Sequence, residues 1–127
     1  MEIGGRPLRI AQTLGMELVS REPGHATLRF AFRPEYTNPV GQLQGGMYAV
    51  LMDAAMAVAA GGIATATMQF SILRPISEGT VTVTGEVVKK GRTILYAEAE
   101  IRDDEGRLVA RGNQSGLPRN LAADPSS

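Results

Sequence analysis

The chain has no cysteine, no tryptophan and a single histidine in 127 residues. Without cysteine there is no disulfide framework, no thiol nucleophile and no thiolate zinc site. Neither sign of charge is in excess, since 13 Lys and Arg offset 13 Asp and Glu. No global field therefore draws the protein to nucleic acid or to an anionic membrane. Met1 to Arg6 has no apolar core and does not read as a secretory signal. The most apolar stretch, Met47 to Ala60, is shorter than the ~20 residues that span a bilayer, and Asp53 interrupts it. A single-domain cytoplasmic protein is the expectation.

What is present is patterned. Pro7 to Gly15 reads as a short helix, with proline in its first turn, glycine past its end, and Leu8, Ala11 and Leu14 on one face. Met16 to Ser20 reads as a short strand. The turn Glu22-Pro23-Gly24-His25 leads into Ala26 to Arg33, where Leu28, Phe30 and Phe32 alternate with other residues. Pro34 to Leu43 is a loop. A long helix follows and stops at Gly61-Gly62, apolar almost all round and glycine-bounded at both ends. Then come strands over Ile63 to Leu73, Thr80 to Lys89, Thr93 to Arg102 and Arg107 to Ser115, joined by short hairpin turns and so antiparallel. The pattern predicts an α+β fold with one long central helix packed on a curved antiparallel sheet. Residues 1–15 form an N-terminal segment with the short helix, 16–117 the main domain, and 118–127 a disordered tail. A helix apolar on every side needs more cover than one sheet, so a second subunit is expected against it.

Between Tyr36 and Leu73 the only formally charged residue is Asp53. Isolating a carboxylate from water is costly. A lone one on the most apolar helix is therefore a candidate functional group, the alternative being an aspartate exposed at a groove or capping a loop. Gly45-Gly46 open the same helix, where backbone N–H groups are unpaired and the dipole is positive. Without side chains they admit a ligand oxygen, an arrangement that suits a carbonyl oxyanion, although a glycine pair also serves close packing. Asp53 follows Gly45 by eight residues, about 12 Å along a helix. That is too far for both to act on one carbonyl carbon. Either they are unrelated, or Asp53 works with the helix start of a second subunit.

Asn38-Pro39-Val40-Gly41-Gln42-Leu43-Gln44-Gly45-Gly46, followed by Leu51-Met52-Asp53, resembles the hotdog-fold acyl-CoA thioesterases of the phenylacetate-degradation (PaaI-like) type. Their pattern is Asn-x-x-Gly-x-x-His-Gly-Gly, then an aspartate on the long helix. Ile63-Ala64-Thr65 with Leu73-Arg74-Pro75 resembles the family's second strand, Val88 to Arg92 its basic hairpin, and Gly106 to Ala110 its last strand. The resemblance runs from Leu14 to Gly116. It implies a hotdog fold that hydrolyses an acyl-CoA thioester to a free acid and coenzyme A. It also implies a homo-oligomer, a dimer or a dimer of dimers (homotetramer), with the site at a dimer interface. With one histidine and no carboxylates clustered around it, no metal or other cofactor is expected.

Position by position, the resemblance makes Asp53 the general base for water or the nucleophile. It makes the Gly45 N–H the group that polarises the thioester carbonyl, with Gly46 beside it. Asn38 lies near the leaving thiol and the carbonyl, and Thr65 holds the attacking water. The family's usual histidine is Gln44 here. Glutamine cannot be a general acid but donates and accepts hydrogen bonds, so it would orient substrate or shape the turn. Arg74, Lys89, Lys90 and Arg92 are candidates to neutralise coenzyme A phosphates. Taken without the resemblance, Asn38 is a turn former before proline, Thr65 an ordinary strand threonine, and the four cations solvated surface charges. Met47, Met52, Met56 and Met68 read first as core filler and second as an adaptable acyl pocket.

Two other readings compete. A hydroxyacyl-thioester dehydratase on this fold needs an active-site histidine, and His25 lies in a turn far from the glycines. A non-catalytic acyl-CoA-binding or regulatory protein gives no reason to isolate Asp53. The acyl group stays open between aromatic and aliphatic, with the 5% aromatic content leaning toward aliphatic.

Overall fold

Each predicted period appears as an element, and the computed structural model describes residues 1–121. In chain order the elements are β1 (Glu2–Ile3), β2 (Arg6–Pro7), α1 (Arg9–Thr13), β3 (Glu17–Glu22), β4 (His25–Ala31), a 3-10 turn (Pro34–Tyr36), α2 (Gly45–Ala60), β5 (Ile63–Ile72), β6 (Thr80–Lys90), β7 (Leu95–Arg102) and β8 (Leu108–Pro118). Strands β3 to β8 form one six-stranded sheet in the order β3-β4-β6-β7-β8-β5, and every pair in it is antiparallel. The long helix lies across one face, so the predicted α+β arrangement holds. Of the expected tail, the part beyond Leu121 lies outside the described residues. No helix among the described residues is long and apolar enough to cross a membrane.

The inward face of the sheet follows the alternation in the sequence. Leu28 and Phe30 of β4, Val81 and Val83 of β6, and Leu95, Ala97, Ala99 and Ile101 of β7 are buried against α2 with Leu51, Met52, Ala55 and Met56. The face predicted for α1 holds too, because Ala11 and Leu14 enter the same cluster and Leu8 packs against it. Met52 and Met56 are fully buried and are core filler.

Gly85 sits in the middle of β6, where a β-carbon would collide with the Ala55 carbonyl of α2. Its lack of a side chain is what lets the helix backbone settle on the sheet. We expect Gly85→Ala to cost about 3 kcal/mol or more, because backbone cannot yield as a flexible side chain can. Chemical denaturation checks this, and an unchanged midpoint would refute the close approach.

Two expectations need correction. The N-terminal segment holds a small hairpin, β1–β2, that the pattern did not suggest. Gly4 and Gly5 form its turn with φ of 59° and 80°, the positive values that a tight hairpin requires. The link from β5 to β6 is not a hairpin. β5 pairs only with β8, at the far edge, and residues 73–79 carry the chain across to β6. The sheet therefore ends in two unlike edges. β3 carries Glu17, Arg21 and Glu22 and an irregular register, features that blunt an edge. β5 has ten residues with no charge and no proline, and Phe70 and Ile72 are exposed on it.

Candidate active site

The residues expected to do chemistry fall into two groups along α2. The first lies at the helix start. Gln44 is the N-cap and makes no side-chain capping bond, while its backbone N–H reaches the Tyr36 carbonyl at 2.9 Å. The N–H groups of Gly45 and Gly46 have no acceptor among the described residues, as the first turn of a helix dictates. A β-carbon on Gly45 would sit 3.7 Å from Ile72 Cδ1, and one on Gly46 would meet nothing within 4 Å. Both N–H groups are thus open to a ligand.

Asn38 is fixed by its own loop. Its side-chain oxygen accepts the N–H groups of Val40 and Gln42, each at 3.0 Å. Two converging donors settle which end of the amide is oxygen, so the NH2 group points away from the turn as a donor. The turn-former reading and the functional reading are compatible, because the turn consumes only the acceptor. Asn38, Gly45, Tyr48, Ile72 and Arg74 line one cleft of about 310 Å³. Its wall is held by Ile76, whose N–H donates to the buried Tyr48 hydroxyl at 3.0 Å and whose carbonyl accepts from Leu43 N–H at 2.8 Å. Arg74 is the one candidate phosphate ligand in this cleft.

The second group lies further along the helix. Asp53 is exposed on its outer flank, yet the protein atoms packed around its carboxyl raise its pKa above the ordinary 3.8. Desolvation is the largest effect, and the neighbouring Gln114 amide and Thr65 hydroxyl pull the value back only in part. The two facts fit a carboxylate open on one side and crowded on the other. Strict alternation would put Thr65 on the outer face of the sheet with Thr67. A bulge at Ala66 prevents this: Thr65 pairs with Gly116 and Thr67 with Ser115. Gly116 is opposite the buried Leu95, so Thr65 turns to the helix side, toward Asp53. Bulges often re-aim a side chain in this way beside active sites. Gln114, which the sequence reading missed, faces the same spot from β8.

The remaining candidates do not join either group within one chain. Lys90 donates to the Ala60 carbonyl at 3.4 Å, at the end of α2 remote from Gly45, where a cation suits the helix dipole. Lys89 and Arg92 flank it on the β6–β7 hairpin and are exposed. His25 opens β4 opposite Glu86 on the outer face of the sheet, so it offers nothing to the site. Among the described residues no three His, Asp or Glu side chains group as metal ligands.

One long helix laid across a six-stranded antiparallel sheet defines the class, a hotdog fold. A conserved protein of Pseudomonas aeruginosa superposes with a TM-score of 0.81 at 26% identity, covering 89% of this chain and 100% of that one. The Escherichia coli PaaI protein from the phenylacetic acid degradation operon does so at 0.82 and 23%, covering 86% and 87%. In sequence, human acyl-coenzyme A thioesterase 13 is 28% identical over 107 residues, which is 77% of this chain and 76% of the relative. Residues 41–110 match the thioesterase superfamily, and the chain belongs to it as a thioester hydrolase.

Proposed function

We propose that the protein hydrolyses acyl-CoA thioesters to a free acid and coenzyme A at a site built from two subunits. Asn38, Gln44, Gly45, Gly46 and Arg74 come from one chain, and Asp53 and Thr65 from its partner. The observation that carries this is the split along α2, about 12 Å between Gly45 and Asp53, with each group open to solvent on its own side. The uncharged β5 edge supports it, since an unprotected edge strand is a template for pairing with a second copy.

In this arrangement the thioester oxygen meets the Gly45 N–H and the Asn38 amide, which stabilise the charge that develops there. Asp53 takes a proton from the water held by Thr65. The water oxygen attacks the carbonyl carbon, and the tetrahedral intermediate collapses by breaking the C–S bond. The proton on Asp53 then passes to the departing sulfur. A thiol leaves far more readily as its anion than an alcohol does, since its pKa is about 8.5. Glutamine at position 44 therefore suffices where a stronger demand would call for an acid. Arg74 meets coenzyme A phosphates at the cleft, and Lys89, Lys90 and Arg92 can do so only from the partner chain. Free-thiol release over a panel of aliphatic and aromatic acyl-CoAs tests the proposal. Turnover of at least one is expected, and tight binding with no thiol released would favour the binding-protein reading instead.

A further inference from the structure

Gln114 is 1% exposed, and neither its side-chain nitrogen nor its oxygen has a hydrogen-bond partner. A buried amide left in this state is costly. The inward positions of β8 beside it are Ala110, Gly112 and Gly116, opposite Ile101, Ala99 and Leu95, so an apolar side chain would fill the place without that penalty. The Asp53 carboxyl on α2 has this amide and the Thr65 hydroxyl of β5 beside it. Gln114 stands near enough to the carboxylate to act on it electrostatically, yet it closes no hydrogen bond of good length and angle. Both amide atoms are closed to solvent, so bulk water does not satisfy them either.

We infer that Gln114 is a positioning residue of the hydrolytic site, holding the Asp53 carboxylate from the β8 side while Thr65 holds it from β5. The inference rests on the thioesterase reading above. The chemistry of the pair suits this role, because the Gln114 NH2 and the Thr65 hydroxyl are both donors to a carboxylate, which only accepts. No charge competes for Asp53. β5 has none, and the charged residue of β8, Arg111, faces outward opposite Glu100. The inward residues of β4 and β7 are apolar, as are those of β6 up to Val87; Lys90, opposite Leu95 beyond the β6 bulge, donates to the Ala60 carbonyl at the end of α2, and the Tyr48 hydroxyl is engaged with Ile76.

The test is the titration of the Asp53 carboxyl carbon by NMR, with the pH profile of kcat beside it, in wild type, Gln114→Met and Gln114→Glu. Methionine keeps the volume and removes the amide, so the fold should persist. We expect its Asp53 midpoint to move to higher pH and kcat to fall about tenfold with KM within about twofold. Glutamate adds a like charge and should move the midpoint further the same way. An unmoved midpoint in Gln114→Met, or a kcat equal to wild type, overturns the inference. The titration needs no substrate, so a wild type that turns over no thioester would sink the thioesterase reading without obscuring this result.

Discussion

Asp53→Asn is expected to lower kcat for thioester hydrolysis about a thousandfold while KM changes little, since it removes the group that takes the proton and leaves the cleft intact. The pH profile makes the prediction sharper. Burial holds the Asp53 pKa above 3.8, so the acidic limb of kcat in the wild type should fall at higher pH than for an ordinary carboxylate, with activity rising as Asp53 ionises. The variant should show no such limb. Stability should move the other way. A raised folded pKa means that the native state binds this proton more tightly than the unfolded chain. The charged carboxylate therefore opposes folding above the folded pKa, and this penalty vanishes once the pH falls below 3.8, where both states are protonated. Asp53→Asn should raise Tm at neutral pH and leave it unchanged near pH 3. Equal turnover by the two proteins, or a lower Tm at neutral pH, would make Asp53 a structural cap rather than the base.

Some members of the candidate site stand out in the local sequence and others do not. Asp53 was legible because its charge stands alone in an apolar run, and Gly45-Gly46 because glycines bound the helix. The bulge was not. Ala64-Thr65-Ala66-Thr67-Met68 alternates without a flaw, and only pairing with β8 shows that Ala66 is the extra residue that turns Thr65 inward. Gln114 was hidden for a related reason. Asn113-Gln114-Ser115 reads as a polar strand end, and its burial depends on which strand lies beside it. That neighbour is β5, and a link of the length of residues 73–79 resembles a hairpin until the sheet order shows it crossing. Gly85 interrupts the valine pattern of β6, but its reason is the Ala55 carbonyl on another element. Local periodicity thus specified the elements, while strand order and register, which are non-local, decided which side chains meet Asp53.

Mixing two inactive variants should restore activity if the site spans subunits. Asp53→Asn removes the base and leaves the glycines. Gly45→Val obstructs the approach to the helix start and leaves the carboxylate, and the nearest atom to a β-carbon there, Ile72 Cδ1 at 3.7 Å, is at ordinary contact distance. Valine's branch then projects into the cleft that Gly45 lines with Asn38 and Arg74. In a dimer with one chain of each kind, one site pairs the intact Gly45 of the Asp53→Asn chain with the intact Asp53 of the other, and the second site carries both lesions. Random re-association makes about half the dimers mixed, so the recovered rate should approach about one quarter of wild type. Co-refolding equal amounts and measuring thiol release reads this directly. A site contained within one chain predicts no recovery at any mixing ratio, because every site would then carry one lesion. A recovered rate near one quarter therefore assigns the aspartate and the glycines of each working site to different chains, and dilution to monomers should abolish it.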